Sequence, residues 1–394
     1  MNHQAAQTTD RAPGETLPAG ALDDDLSRTV YPILGVPIDA VDMAATVRKI
    51  EAAAAAKTPF LISTVNLNFL VASQDDEDFR ASLLSSDLCV ADGMPLLWIA
   101  RLLGIPLKHR LTGSDVFEAL KRPADEKAGP LSIFWFGGQE GAAEQACQRI
   151  NAEAGRLTCA GALCPGFGSV EEMSSQSYID AINASNADFL VVALGARKGQ
   201  AWLRHNHARL QIPVRSHLGA TINFQAGTLR RAPIAWQRLG LEWLWRIKEE
   251  PQLASRYWHD GVALLRLLAT RVLPLAVFLR WNRFSHAGEG LICEHQREKS
   301  ATRLIISGRM SDKDGDVLRS ALRRAIEDRK AVILDLAGLR SANPLFFGMV
   351  LMLRRQLRAA ELDLRIENPS GTLEREIRLG SFAPFLFPNA PNRP

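Results

Sequence analysis

The chain has 394 residues, 47% hydrophobic and 23% charged, with a formal net charge of +4. That length accommodates two or three domains, each with a sizeable core, and the composition is that of a globular protein. The net charge is too small to point to nucleic acid, so any informative basic signal is local. The five cysteines, Cys89, Cys147, Cys159, Cys164 and Cys293, form no CxxC pair and show no paired His spacing. This argues against a zinc site or a disulfide framework and predicts reduced thiols, mostly in the core, of a cytoplasmic protein.

Residues 1–30 read as a disordered tail: the opening stretch is polar, with Pro13, Gly14, Pro18, Gly20 and the acidic run Asp23–Asp25. It lacks the apolar h-region of a signal peptide. From Tyr31 onward, apolar runs bounded by turn signals alternate with helix-period segments. The predicted strands are Phe60–Thr64, Leu88–Ala91, Leu131–Phe136, Phe189–Leu194 and Val214–Leu218. Such alternation predicts βαβ units, hence an α/β domain with a Rossmann-like, mostly parallel sheet over residues 31–227. In these sheets ligands bind at the carboxyl ends of the strands. Thr64–Asn68, Ala91–Gly93, Phe136–Gly141 and Leu194–Gln200 fall at those ends.

Residues 228–284 change character. Ten basic residues face four acids there, a surplus of six that exceeds the charge of the whole chain. The segment Val262–Arg280 is apolar but interrupted by Arg266 and Arg271. A membrane-spanning helix needs about 20 mostly uncharged residues, so an interfacial amphipathic helix is expected instead. Trp236, Trp243, Trp245 and Trp258 suit either a lipid interface or a core. After a polar linker, residues 285–290, the pattern restarts over residues 291–394. Strands are predicted at Thr302–Ser307, Ala331–Leu336 and Leu362–Glu367, with helices at Asp314–Asp328 and Phe346–Ala360, which describes a small independent α/β domain.

Single residues leave alternatives open. Asp92, at a strand end, is placed to act as a base on a bound hydroxyl, with Gly93 permitting close backbone approach; a helix-capping aspartate fits equally well. Asn66 and Asn68 suit ligand hydrogen bonding or simple turn chemistry. Gly137-Gly138 before a helix fits a phosphate cradle or an ordinary tight turn. Arg110 fits a diphosphate clamp or a solvated loop.

The ordered series narrows these choices. Thr64-x-Asn66, the ADG at Ala91–Gly93, the RLTGSD at Arg110–Asp115, Phe136–Gly138, Gly195–Lys198, Gly219–Gly227, the RAP at Arg231–Pro233 and the GLEWLWR at Gly240–Arg246 occur in one order. Together they resemble the WecG/TagA/CpsF glycosyltransferases over about Tyr31 to Tyr257. The resemblance implies a membrane-associated, metal-independent, inverting hexosyltransferase with no cofactor. Its implied partners are a UDP-sugar donor, often of the N-acetylmannosamine type, a polyprenyl-diphosphate-linked glycan acceptor and an anionic membrane surface, with no nucleic acid. It places the protein peripherally at the cytoplasmic face of the bacterial plasma membrane, in cell-surface or exopolysaccharide assembly, and makes a homo-oligomer plausible.

By motif position, Asp92 matches the family's proposed general base, Thr64 and Asn66 its pocket, and Arg110 the group that stabilises the leaving diphosphate. Gly93, Gly137, Gly138, Gly195, Lys198, Gln200, Asn223 and Gln225 complete the implied substrate-binding set. Arg231, Arg238, Arg246 and Arg256 match an appendage whose arginines close over the site, Arg231 and Arg246 being favoured by position. No HExxH occurs near these motifs. One departure bears on donor identity: the family's Gly-x-Pro-Lys-Gln-Glu reads Gly195-Ala-Arg-Lys-Gly-Gln200 here.

Val332–Gly348 resembles the core of a STAS domain, over about Leu291 to Leu386. The phosphorylatable Asp-Ser-Ser-Gly of STAS switches reads Asn343-Pro-Leu-Phe346, which implies a docking or dimerising module that binds a protein partner without a phospho-switch; Ser341 is a weak substitute. The competing reading is a non-catalytic scaffold of a polysaccharide assembly complex. A dinucleotide-dependent oxidoreductase is disfavoured because no GxGxxG fingerprint is present.

Overall fold

The computed structural model describes residues 24–122, 129–153, 155–285 and 290–386. The tail expected over residues 1–30 therefore lies outside the described residues up to residue 23, but its last part is folded. Leu26 is fully buried and Arg28 nearly so. Hairpin β1 (Val30–Ile33)–β2 (Val36–Asp39) follows at once. Its two-residue turn, Leu34-Gly35, has positive φ at both positions, 46° and 84°, as the twist of a tight hairpin requires. Arg28 explains why this start is ordered. Its guanidinium donates to both carboxylate oxygens of Asp39 at 3.0 and 2.8 Å, and Asp39 also accepts the Cys89 N–H at 2.7 Å, which pins the hairpin to the main sheet.

The first domain continues through α1 (Met43–Ala56), β3 (Phe60–Val65), α2 (Leu67–Asp75), α3 (Glu77–Leu84), β4 (Leu88–Ala91), α4 (Met94–Leu103) and α5 (Gly113–Leu120). It is completed by β5 (Leu131–Gly137), α6 (Ala142–Ala152), β6 (Leu157–Leu163), α7 (Gln176–Ala184), β7 (Phe189–Ala193), α8 (Ala196–His205), β8 (Val214–His217) and α9 (Thr221–Ala226). The six strands β3 to β8 form one parallel sheet in the order β4-β3-β8-β7-β5-β6, the α/β architecture expected. Both sheet faces are covered by helices, which is why the strand residues read as continuous apolar runs such as Phe189–Val192. Strand order places the carboxyl ends of β3, β4, β7 and β8 side by side.

The cysteine expectation is corrected here. Cys147 on α6 and Cys159 on β6 are joined by a disulfide, their Cα atoms 5.2 Å apart. The α6–β6 reversal makes these residues neighbours, a proximity that spacing rules based on short motifs do not register. Cys89 is a buried free thiol as expected, and Cys164 and Cys293 are half-buried. Thiol usage thus no longer argues for a reducing compartment.

Next come α10 (Ile234–Arg238), α11 (Glu242–Glu249), α12 (Ala254–Leu267) and α13 (Leu273–Ser285). A π turn over Leu268–Val272 joins the last two, and Pro251–Trp281 forms a helical run of 31 residues, long and apolar enough to cross a membrane. One face is occupied by protein: Asn68 of α2 donates to Asp260 at 3.2 Å, and Val272, Leu275 and Ala276 are buried. The opposite face exposes Trp258, Val262, Leu265, Leu273, Val277 and Trp281.

The C-terminal unit consists of β9 (Ile292–Arg297), β10 (Ala301–Arg309), α14 (Gly315–Glu327), β11 (Ala331–Ser341), α15 (Pro344–Ala359), β12 (Leu364–Glu367), α16 (Gly371–Leu379) and α17 (Ala383–Leu386). Its sheet order is β12-β11-β10-β9, parallel except for the antiparallel edge strand β9. It forms the small C-terminal α/β domain expected and packs directly on the first domain. One hydrophobic core runs through both, from Leu26 and Val30 to Phe346 and Met349. Helix α15 lies so close to the hairpin that a Cβ on Gly348 would sit 1.8 Å from the Val30 carbonyl oxygen. Arg355 binds Asp25 and Asp87, and Arg319 donates to the Leu26 carbonyl at 2.8 Å.

Candidate active site

Asp92 follows β4 directly, and its N–H donates to the Val65 carbonyl at 2.7 Å, extending the β3–β4 ladder by one residue. The alternative role as a helix cap is excluded by the next residue. Gly93, at φ 124°, is the N-cap of α4 and supplies no side-chain cap. An L side chain rarely adopts that backbone, so the turn frees Asp92 to point elsewhere. Its Oδ2 faces the start of α5, where the Gly113 N–H lies at a long 3.4 Å. Burial raises the Asp92 pKa to about 7; the Gly113 bond and Arg110 oppose this, while Glu242 and Asp115 reinforce it. The side chain is nonetheless partly open to solvent, so water in the cleft moderates the shift.

Arg110 is brought to the same strand end because the Leu111 N–H bonds the Ala91 carbonyl at 2.8 Å, laying the RLTGSD segment along the end of β4. Thr112 then caps α5 by accepting the Asp115 N–H at 3.0 Å. Gly113 matters sterically: a Cβ there would meet Leu218 at 2.7 Å and Thr64 Oγ1 at 3.4 Å. Thr64, the penultimate residue of β3 and 5% exposed, therefore sits against the start of α5. Asn66 caps α2, its Oδ1 accepting the Phe69 N–H at 3.1 Å, so its amide NH2 is the group left for a ligand. Asn68 is committed to Asp260 and belongs to the interface with α12.

The appendage brings its arginines to the same place. Arg110 pairs with Glu242 of α11 at 3.2 Å and with Asp115 at 3.8 Å, and Arg231 donates to Asp115 at 2.5 Å. Arg246 pairs with Glu250 at 2.5 Å, and both Arg231 and Arg246 lie over the Phe224 ring, at 5.9 and 5.6 Å. Each of these guanidinium groups is held by a carboxylate. Arg256 stands apart, exposed and stacked over Tyr257 at 5.1 Å. Arg238 closes α10, its side chain outside the described set.

The remaining positions divide between cleft and framework. Gly137 and Gly138 have φ of 99° and 90° but do not open a helix: α6 begins at Ala142 behind Gly141. The Gly138 N–H is used by the Ala193 carbonyl at 2.8 Å, and Cβ atoms at the two positions would strike Ala193 O and Ile222 at 2.7 and 2.8 Å. These glycines therefore allow close packing of β5 on β7 and α9, and not the expected phosphate cradle. Gly195, at φ 81°, does start a helix, capping α8 without a side chain. Lys198 donates to the Gly168 carbonyl at 2.7 Å, and Gln225 ties α9 to Glu118 of α5 at 2.7 Å. Asn223 Oδ1 and Gln200 Oε1 are buried with no partner. Sequence reasoning passed over His217, which is also buried with an unpartnered Nε2; its only signal was a polar residue at the end of a central strand.

A carboxylate titrating near neutrality, beside arginines at the carboxyl end of a parallel sheet, defines a group-transfer site suited to an anionic leaving group. Residues 31–276 match the Glycosyl transferase WecG/TagA/CpsF family, and residues 293–386 match a domain described as Mlab, STAS domain. The chain belongs to the WecG/TagA/CpsF glycosyltransferase family, with a STAS domain fused after it. It is 26% identical over 190 residues to the N-acetylglucosaminyldiphosphoundecaprenol N-acetyl-beta-D-mannosaminyltransferase of Bacillus spizizenii, covering 48% of this chain and 71% of that protein. Two crystal structures of mutation variants of SsGBP align at 10% identity, over 64% and 66% of this chain and 84% and 88% of theirs. Their TM-scores of 0.20 and 0.19 carry no argument about fold or function.

Proposed function

We propose that the chain is an inverting glycosyltransferase that moves a hexosyl group, N-acetylmannosamine or a relative, from a UDP-sugar to a polyprenyl-diphosphate-linked acceptor in cell-surface or exopolysaccharide assembly. The observation that carries this is a carboxyl, Asp92, whose pKa is raised by burial at the end of β4, with Arg110 on the segment that runs along that same strand end. In this mechanism an Asp92 oxygen takes the proton of the acceptor hydroxyl as its oxygen attacks the anomeric carbon. The bond from that carbon to the β-phosphate oxygen breaks on the opposite face, and UDP leaves with the electron pair. Arg110, released from Glu242, offsets the charge that develops there, the role a metal ion would otherwise fill. The Bacillus relative, whose name specifies a diphosphoundecaprenol acceptor, supports the acceptor class.

The exposed stripe Trp258, Val262, Leu265, Leu273, Val277 and Trp281 supports peripheral membrane attachment. Because the other face of that helix is committed to α2, α4 and α16, it lies along the bilayer surface instead of crossing it. Basic residues of the same segment, worth about 1 kcal/mol each near anionic lipid, add to this attachment at the cytoplasmic leaflet. The STAS domain then serves as a docking module beside the enzyme.

The test combines purified protein, lipid-linked acceptor, a panel of UDP-sugars, an Asp92→Asn variant and an EDTA control. Turnover that survives EDTA and is lost in Asp92→Asn is expected. Absence of turnover with every donor would favour the scaffold reading, and EDTA sensitivity would contradict arginine-only charge stabilisation.

A further inference from the structure

One buried polar group at the cleft has no part in that mechanism. His217 ends the central strand β8, is 7% exposed, and its Nε2 has no hydrogen-bond partner. The ring is accommodated by two glycines, against which it packs closely. A Cβ on Gly199, in the first turn of α8, would lie 2.2 Å from His217 Cδ2 and 3.0 Å from Nε2, and one on Gly219 would lie 3.2 Å from Nε2. The Phe69 ring, directly beyond the Asn66 cap, packs on the imidazole with centroids 6.3 Å apart. A second orphan follows Gly199 in the chain: Gln200, 1% exposed, donates to Ser63 Oγ at 3.0 Å but leaves Oε1 without a partner among the described residues. Buried polar atoms almost always find partners, so two such atoms among glycines, at the mouth of a parallel sheet, mark a place that a ligand completes.

The chemistry of that ligand follows from charge. Burial pushes the His217 pKa down to about 4, so the ring is neutral at physiological pH. The cations of the site, Arg110, Arg231 and Arg246, belong to the cluster at α5, α9 and α11. A neutral imidazole beside a phenyl ring suits an uncharged hydrogen-bonding group, whereas a diphosphate is better served by the arginines. Resting on the sugar-nucleotide reading above, we propose that His217, together with Gln200, determines donor specificity by hydrogen-bonding a neutral hydroxyl or acylamino substituent of the transferred hexose. Glycine at 199 and 219 lets the imidazole take the position from which it would meet that substituent.

The test is calorimetric titration of the full chain with UDP and with UDP-glucose, UDP-galactose, UDP-N-acetylglucosamine and UDP-N-acetylmannosamine. It uses the wild type, His217→Ala, His217→Gln and Gly199→Ala, with thermal melts to verify folding. The wild type is expected to bind one UDP-sugar more tightly than UDP. His217→Ala should weaken that sugar about tenfold, one neutral hydrogen bond, and leave UDP unchanged. Gly199→Ala, whose methyl group displaces the ring, should give the same pattern, and His217→Gln should recover most of the loss. In the wild type, the His217 Nε2 15N resonance should move on adding the UDP-sugar and stay in place with UDP, a readout that survives any failure of the variants to fold. Equal loss for UDP and UDP-sugar in folded variants, or no change in either, overturns the assignment. A wild type that binds neither UDP nor any UDP-sugar overturns the transferase reading itself, and this inference with it.

Discussion

Replacing Asp92 by Asn should produce a protein that is both less active and more stable above neutral pH. The wild-type carboxyl moves from its ordinary 3.8 to about 7 on folding because burial penalises its charged form. Between those values the folded chain holds a proton that the unfolded chain has released, so stability falls as pH rises, and the loss is complete above the folded pKa. Three pKa units correspond to about 4 kcal/mol; with water entering the partly open cleft, about 2 kcal/mol is expected. Asn keeps the shape and an acceptor for the long Gly113 N–H contact of 3.4 Å but carries no charge to bury. The variant should therefore match the wild type near pH 4 and exceed it by about 2 kcal/mol at pH 8, while transfer falls by about 10²- to 10⁴-fold. Wild-type activity should itself rise with pH through about 7, as the base loses its proton. Urea unfolding at pH 4, 5 and 8, alongside the transfer assay, measures both. An Asn variant less stable than wild type at pH 8, or a wild-type rate flat across neutrality, would refute the reasoning.

Arg110→Ala should lower kcat by about 10²- to 10³-fold with a smaller change in KM, since its charge is needed most when the diphosphate leaves. Gly348→Leu has no room against the Val30 carbonyl and should separate the STAS domain from the first domain, seen as a larger radius of gyration in small-angle scattering with secondary structure retained. Reducing Cys147–Cys159, a bridge across 12 positions, should cost about 3 kcal/mol by releasing the unfolded chain and lower the melting temperature; Cys147→Ser should show the same shift and no further response to reductant. Trp258→Glu with Val277→Glu should abolish binding to anionic vesicles in a co-sedimentation assay while leaving the melting temperature within a degree or two, since both side chains are exposed.

The STAS domain sits where it does for a reason that bears on its role. The helix following Asn343, which begins the stretch aligned with the Asp-Ser-Ser-Gly of STAS switches, is covered along part of its length by this chain's own hairpin and by the Arg355 contacts to Asp25 and Asp87. Asn343 is committed as well, accepting the Phe346 N–H at 3.0 Å as the cap of α15. A protein partner would thus meet a surface made by both domains.

Local chemistry was enough for much of this protein. The strand predicted at Leu88–Ala91 is β4 residue for residue, and β3, β5, β7 and β8 differ from expectation by a single terminal residue, because apolar runs and turn residues act within a few positions of themselves. The ordered motifs, and with them the family, were also legible in the chain alone. What was missed was β6, whose small and polar residues make no apolar run, and the β1–β2 hairpin, whose short buried strands each contain a proline that reads as a turn. What required the tertiary structure was the identity of partners, since periodicity reports that a side chain is buried and not what it meets. Only the fold shows that Gly93 caps α4 and releases Asp92, that Gln225 serves Glu118 and Asn68 serves Asp260, and that Cys147 meets Cys159. His217 is the sharpest case: in the sequence it is one polar residue ending a strand, and only the fold shows it packed against Gly199 and Gly219 with its Nε2 buried and without a partner among the described residues.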